Sequence, residues 1–245
     1  KLAEVLEKII LIEPDNHLAY FKLGSAYDSI NEHKKEKVYF EKYLNFKTDD
    51  SELNALAHNS LSRVYRDSYG DIPRAIKHAE QADQLLPNNH VIIDSLTTLY
   101  IQVGKFDKSK QLIDQHISLF EKGTLEYAEA LSGAVYKLKQ LGDLGLASKY
   151  SEEYLKTIEK YKDRDPEKYL DSLVVAIQSG TLTTQENHVK KSLELYKSAL
   201  IFCEAKVGNK YKKYSKILAG LGLGYAQLGN YSKGEAYLQK ALKYQ

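Results

Sequence analysis

Large and small residues follow a fixed order in the C-terminal part of the chain. In a 34-residue frame that begins at Ser215, large residues occupy positions 4, 7, 11, 17 and 24, and small ones positions 8, 20 and 27. Gly229 and Asn230 separate the two halves, and such residues end a helix where left-handed backbone is needed. The pattern predicts two antiparallel helices that approach closely at the small residues. The residues concerned are Leu218, Leu221, Gly222, Tyr225, Tyr231, Gly234, Leu238 and Ala241.

The same frame recurs along the chain. It fits from His17, Ala55, His90 and Ala128, with one extra residue in the second case, and more loosely from Glu167. This pattern resembles the tetratricopeptide repeat (TPR), a helix–turn–helix unit of 34 residues. The resemblance implies an all-α fold, a right-handed α-solenoid of antiparallel helix pairs in which each repeat packs on its neighbours (a TPR-like superhelix).

We expect a single TPR-like solenoid over residues 1–245. Its repeats are predicted at 17–50, 53–87, 89–122, 124–160, 166–206 and 210–245. Leu2, Leu6 and Ile9 match only the second half of a repeat, so residues 1–13 are predicted to form an orphan second helix. That half-repeat leads us to expect a longer protein that continues N-terminally. Extra residues are expected in longer helices and in the turns between repeats, and 179–186 contains the most loop-like stretch.

Tyrosine is over-represented in the composition. The 245 residues include 20 Tyr but no Met and no Trp. Four of these tyrosines share position 11, a packing position of the repeat: Tyr27, Tyr65, Tyr100 and Tyr225. Most of the excess is therefore predicted to be scaffold with a polar tip. Tyrosines of the second helices, such as Tyr43 and Tyr154, are expected to be partly exposed.

Several functional classes are disfavoured by composition and motifs. One cysteine excludes a disulfide framework and a multi-cysteine zinc site, and Cys203 is expected to be a small buried residue. The net charge of +2 provides no global field, and no apolar run is long enough to span a bilayer. Phosphate-loop and hydrolase motifs are absent from the sequence. We expect no catalytic residue, cofactor or metal, a protein that is not an enzyme, and a cytoplasmic location.

One basic cluster could contact nucleic acid. Five lysines lie within eleven residues, with Tyr211 and Tyr214 between them: Lys206, Lys210, Lys212, Lys213 and Lys216. Basic residues with interleaved aromatics can bind phosphates and stack bases. Glu194 and Glu204 dilute the local charge, and a solvated, flexible turn between helices is the favoured explanation of the cluster. A nucleic-acid partner is therefore not expected.

The resemblance also suggests a binding surface. In TPR arrays, positions 2, 5, 9, 12 and 13 of each first helix line a concave groove. The peptide-binding residues that this implies are Asn59, Arg63, Arg66, Asp94, Thr98, Gln102, Tyr136 and Lys139. Amide side chains can bond both donor and acceptor of a peptide backbone, and arginines can hold a carboxylate. Polar groove residues that serve only solubility are the alternative.

Non-catalytic binding of a protein or peptide in the concave groove is the predicted function. One alternative is the ligand-sensing half of a peptide-responsive regulator whose effector domain is absent here, and another is a TPR array attached to a catalytic domain outside these residues. The clamp that binds chaperone tails in some TPR domains is not matched. Its positions are occupied here by Phe21, Ser25, Ser60, Val91 and Ser95.

Overall fold

The fold is all-α, as predicted. The computed structural model describes the backbone of residues 1–180 and 186–244, and within these ranges it contains thirteen α-helices and no β-strand. The helices are α1 (Leu2–Ile12), α2 (His17–Asp28), α3 (His33–Asn45), α4 (Ser51–Tyr69), α5 (Ile72–Leu85), α6 (His90–Gln102), α7 (Phe106–Ser118), α8 (Leu125–Gln140), α9 (Leu144–Glu159), α10 (Pro166–Gly180), α11 (Glu186–Lys206), α12 (Tyr214–Gln227) and α13 (Tyr231–Leu242). Most of the predicted loop at 179–186 lies outside the described residues.

The chain divides into two compact units, Lys1–Leu119 and Phe120–Gln245. In the first unit, α2 packs on α3, α4 on α5 and α6 on α7, while α1 packs on α2. In the second unit, the pairs are α8 with α9, α10 with α11 and α12 with α13. Each unit is thus a stack of helix pairs. The single solenoid over residues 1–245, with the repeat limits given above, stays a prediction.

Each described turn between the helices of a pair contains one residue in left-handed backbone. The φ angles of these residues lie between +58° and +79°: Asn31, Gly70, Gly104, Gly142 and Gly229. In three turns the next residue caps the second helix. Asp71, Asp143 and Asn230 each accept a hydrogen bond from a backbone N–H of the first turn. Left-handed backbone followed by a side-chain cap therefore reverses the chain within a few residues.

Small residues allow the paired helices to approach closely. A Cβ atom on Gly24 would lie 2.8 Å from the Phe40 ring, and one on Gly222 would lie 2.9 Å from the Gly234 backbone oxygen. Both distances are shorter than a real Cβ atom tolerates. These are the contacts that the small residues of the frame predict, and they explain Gly222 in the glycine-rich middle of α12 without a ligand.

The tyrosines at position 11 join successive pairs of the first unit. Tyr27, Tyr65 and Tyr100 are buried, and each hydroxyl donates a hydrogen bond to a glutamate on the preceding helix pair or on α1. The bonds are Tyr27 to Glu7 at 2.6 Å, Tyr65 to Glu41 at 2.8 Å and Tyr100 to Glu80 at 2.7 Å. The predicted packing role is confirmed for these three residues, and the polar tip has a defined partner.

The prediction that tyrosines of the second helices are partly exposed is wrong for Tyr43 and Tyr154, which are 0% and 4% exposed. The Tyr43 ring packs edge-on against Phe21, with 5.2 Å between ring centroids, and its hydroxyl lies 3.1 Å from the Thr48 hydroxyl. The Tyr154 hydroxyl donates to the backbone oxygen of Ser172 at 2.6 Å. A hydroxyl that has a partner can be buried, and these partners come from outside the helix that carries the tyrosine.

Candidate functional site

Six of the predicted binding residues lie on α4 and α6 of the first unit. Asn59, Arg63 and Arg66 are spaced four and three residues apart, so they share one side of α4. The three on α6 are spaced by four: Asp94, Thr98 and Gln102. The two helices contact each other. We call these six residues the polar face.

Arg63 is part of an ion-pair network within the first unit. Its Nη2 atom lies 2.6 Å from Asp28 Oδ1 at the end of α2 and 3.2 Å from Glu36 Oε1 on α3. Glu36 is fully buried, and His33 Nδ1 lies 2.9 Å from its other oxygen. Burial raises the pKa of Glu36 despite the hydrogen bond from His33. The network therefore places the C-terminal end of α2 beside α4.

The carboxylates and imidazole of this network have the donor types of a metal site. The ligand atoms of Asp28, His33 and Glu36 all lie within 4.8 Å of one another. The Arg63 guanidinium already lies against both carboxylates and neutralises part of their charge. We therefore interpret the cluster as an ion-pair network, and the expectation of no metal site stays a prediction.

Arg66 is also paired within the chain. Its Nε and Nη2 atoms donate to the two carboxylate oxygens of Asp67 at 2.7 and 2.9 Å. The hydrogen bonds from Arg66 lower the pKa of Asp67. Both arginines of the polar face thus bind carboxylates of the chain itself. Their predicted role in holding a ligand carboxylate stays a prediction, and such a ligand would compete with Asp28 and Asp67.

Asn59 is the enclosed amide of the polar face. Its Oδ1 atom is buried and accepts no hydrogen bond from any described residue. On α6, the Thr98 hydroxyl donates to the Asp94 backbone oxygen at 2.9 Å, and Asp94 and Gln102 are exposed. The face therefore offers an unused acceptor on α4 and exposed polar groups on α6.

The other two predicted binding residues lie on α8 in the second unit. Tyr136 is 52% exposed. The Nζ atom of Lys139, in contrast, is buried and has no hydrogen-bond partner among the described residues. Lys139 lines a pocket formed with α9, α10 and α11. Since each unit is described by itself, one groove shared by all eight residues stays a prediction.

Two lysines of the predicted basic cluster are paired with an aspartate. The Nζ atoms of Lys212 and Lys213 lie 3.0 and 2.9 Å from the carboxylate of Asp171 on α10, and the Tyr211 hydroxyl donates to it at 2.5 Å. Burial opposes the shift, but these hydrogen bonds outweigh it and lower the pKa of Asp171 to about 2. The cluster is thus partly neutralised, and a nucleic-acid interface is still not expected.

Cys203 is a buried residue, as predicted. Its side chain is 0% exposed, and Sγ lies 3.4 Å from the Gly208 backbone oxygen. Burial raises the pKa of the thiol to about 11. The reactive thiolate form is therefore scarce at neutral pH.

A histidine pair was not foreseen from the sequence. The Nδ1 atoms of His58 on α4 and His78 on α5 lie 2.9 Å apart. Burial, followed by the neighbouring His78, lowers the pKa of His58 to about 4, and burial also lowers that of His78. Twenty residues separate the two in sequence, so the antiparallel pairing of α4 and α5 is what brings them together.

Comparison with known families agrees with the helix-pair geometry. The model of a tetratricopeptide-repeat family matches residues 17–50 and 215–245. The chain contains tetratricopeptide repeats. The matched segments are the pair α2–α3 and the pair α12–α13, one from each unit of the TPR chain. A sequence comparison with curated proteins gives no significant match.

Solved TPR structures share the fold. The C-terminal part of a TPR repeat-containing protein from Cytophaga hutchinsonii is 13% identical, with a TM-score of 0.66 over 99% of this chain and 89% of that one. A tetratricopeptide repeat protein from Parabacteroides merdae is 11% identical, with a TM-score of 0.61, and the match covers 94% of this chain and 80% of that one. A chain of the APC/C hetero-tetramer Cut9–Hcn1 is 13% identical, with a TM-score of 0.59, and the match covers 100% of this chain and 43% of that one.

The described helices contain no candidate membrane span. None of these helices combines the length and the apolar character needed to cross a bilayer.

Proposed function

We propose that this TPR chain is a non-catalytic scaffold that binds a protein or peptide segment along the polar face of the first unit. The observation that carries the proposal is the buried Asn59 Oδ1, an acceptor without a partner among the described residues. A buried polar atom without a hydrogen bond is costly, and a ligand N–H would satisfy it.

The groups around Asn59 suit an extended backbone. Asn and Gln side chains carry both a carbonyl acceptor and an amide donor, as does each peptide unit. Gln102 and Asp94 are exposed on the neighbouring helix α6. A segment that crosses α4 and α6 could therefore bond to Asn59 and Gln102 through its main chain, without a requirement for one side-chain sequence.

The charges of the face argue against a strongly acidic ligand. Arg63 and Arg66 already hold Asp28, Glu36 and Asp67. An acidic segment must displace one of these carboxylates before it gains an ion pair, so the net gain is small. We propose a polar or neutral segment, whose affinity depends weakly on salt.

The fold is compatible with a protein partner. A structure with the same fold, that of Cut9 and Hcn1, is a hetero-tetramer. This supports binding of a protein by the fold in general, and the polar face is our proposal for where this chain binds.

The test is affinity for peptides selected on the full chain from a random display library. Asn59→Ala combined with Gln102→Ala removes the amide groups of the polar face. Gln111→Ala, an exposed glutamine on α7, is the matched control. We expect the double variant to weaken binding about tenfold or more, since two hydrogen bonds are lost and each contributes about 1 kcal/mol. The control is expected to bind like wild type. Unchanged affinity in the double variant, or selection of no peptide at all, would contradict the proposal.

A further inference from the structure

A pocket in the second unit combines apolar walls with a buried amine. Helices α8, α9, α10 and α11 surround a pocket with an open mouth. Its walls include the apolar side chains of Leu144, Leu155, Ile177 and Leu195. Small-ligand sites are mostly apolar with a few polar groups, and the lining of this pocket has that character.

Lys139 is the polar group that distinguishes this pocket. Its Nζ atom is buried and lacks a hydrogen-bond partner among the residues that the structure describes. Burial lowers the pKa of the amine. An ammonium group enclosed without a counter-ion is destabilising, and an anion beside it would remove that cost.

Lys191 at the same pocket provides a contrast. Its side chain is 56% exposed, and its Nζ lies 3.6 Å from Glu152, which is 57% exposed. Such a surface pair is weak and leaves the lysine in water. The two lysines therefore differ in burial and pairing, although both line the pocket.

We propose that this pocket binds a carboxylate carried on an apolar chain, with Lys139 as its counter-ion. The apolar chain packs on Leu155, Ile177 and Leu195, while the carboxylate meets the ammonium and accepts from the hydroxyls of Ser151 and Ser192, which also line the pocket. The flexible four-carbon stem of lysine lets the ammonium turn toward the ligand. This site is separate from the polar face and does not depend on the proposed function.

The chemistry of the pocket favours a monoanion over other ligands. A neutral apolar molecule would pack against the apolar walls of the pocket but leave the Lys139 ammonium unpaired. A phosphate dianion would place two negative charges among apolar side chains. The buried cation, Lys139, would pair with only one of them. A free alkanoate and the C-terminal leucine of a peptide carry the same group, a carboxylate next to an apolar chain.

The test uses the full chain, isothermal titration and four probes. Octanoate is compared with octanol, and a short peptide that ends in Leu-Leu with a free carboxylate is compared with its amide. We expect at least one acid to bind, and its neutral counterpart to bind about tenfold more weakly or worse, since the neutral probe cannot form the charge-assisted hydrogen bond to the ammonium. Binding of octanoate alone identifies a free acid as the source, and binding of the peptide acid alone identifies a chain terminus.

Two variants assign the effect to Lys139. Lys139→Met keeps the stem and removes the charge, and Lys191→Met does the same at the exposed position. We expect Lys139→Met to weaken the acid about tenfold or more, and Lys191→Met to change it less than about threefold. Thermal melting shows whether Lys139→Met is folded, and removal of an unpaired buried charge should leave it as stable as wild type or more so. Failure of both acids to bind, equal binding of acid and neutral probe, or an acid that binds folded Lys139→Met like wild type would overturn the proposal.

Discussion

The Tyr65 hydroxyl donates a 2.8 Å hydrogen bond from α4 to the Glu41 carboxylate on α3. A cation covers the same ring, since Arg74 lies 5.6 Å from its centroid. Tyr27 has the same pair of contacts, with Glu7 at its hydroxyl and Lys35 4.9 Å from its ring centroid. The repeated tyrosine thus links the helix pair that carries it to the preceding helix through the hydroxyl, and contacts the second helix of its own pair through the ring.

Removal of the Tyr65 hydroxyl tests this link. We expect Tyr65→Phe to lower the free energy of unfolding by about 1–2 kcal/mol, because the carboxylate loses a charge-assisted hydrogen bond. Tyr69→Phe, on the same helix and 47% exposed, is the control and should change it by less than about 0.5 kcal/mol. Urea denaturation measures both. Equal effects of the two substitutions would show that the bond to Glu41 does not stabilise the fold.

Close helix packing predicts opposite effects of alanine at two helical glycines. Gly24→Ala places a Cβ atom 2.8 Å from Phe40 and should destabilise the chain by about 1–3 kcal/mol. Gly133 in α8 has no atom within 4 Å of its added Cβ, so Gly133→Ala should stabilise it by about 0.5–1 kcal/mol. Thermal and urea unfolding measure the change in the free energy of unfolding for both substitutions. Stabilisation by Gly24→Ala is the result that this packing does not allow.

The Arg63 network predicts that removal of the arginine destabilises the fold to an extent that depends on pH. Arg63→Met removes the cation beside the buried Glu36, and we expect a loss of about 2 kcal/mol at pH 7, reduced from the cost of a fully buried pair because Arg63 is 42% exposed. Without the cation the pKa of Glu36 rises further, so protonation at low pH relieves the cost. The destabilisation should therefore shrink as the pH falls. Urea unfolding at several pH values follows it.

Two further variants check this assignment. Glu36→Gln added to Arg63→Met should restore much of the lost stability, since no buried charge then remains. Arg66→Met leaves Asp67, whose side chain is 50% exposed, and should cost less than about 1 kcal/mol. A cost of Arg63→Met that is independent of pH and of Glu36 would refute the network.

The His58–His78 pair predicts weaker folding in acid. Burial lowers the pKa of His58 to about 4, so the folded chain binds fewer protons there than the unfolded chain. The contribution of neutral His58 to the free energy of unfolding is fully present above the unfolded pKa of about 6.5. It is lost as the pH decreases toward 4. From His58 alone, the loss between pH 7 and pH 5 is about 2 kcal/mol. His58→Gln should flatten this slope in urea unfolding at several pH values, and an identical slope in the variant and wild type would exclude the pair as its source.

Sequence periodicity predicts the elements of this fold that repeat. Gly24 and Gly222 occupy the same position of the frame, and both meet a neighbouring helix; Gly104 and Gly229 share another, and both adopt left-handed backbone. These roles are set by local geometry within one helix pair. A short-range pattern is therefore enough to find them.

The contacts that define the candidate sites are not periodic. Arg63 and Glu36 are 27 residues apart and His58 and His78 are 20 apart, so each pair depends on how two helices align. The pocket at Lys139 needs four helices at once. Periodicity places Lys139 among residues that face a groove, but it does not show that the ammonium is enclosed and unpaired.

Binding at the polar face is tested most directly by NMR of the full chain with a display-selected peptide. We predict that the largest shifts occur on α4 and α6, including the side-chain amides of Asn59 and Gln102. The second helices α5 and α7 should change little, with Gln111 as the internal reference. Shifts confined to α5, α7 or the second unit, with Asn59 and Gln102 unperturbed at saturation, would contradict the proposed binding face.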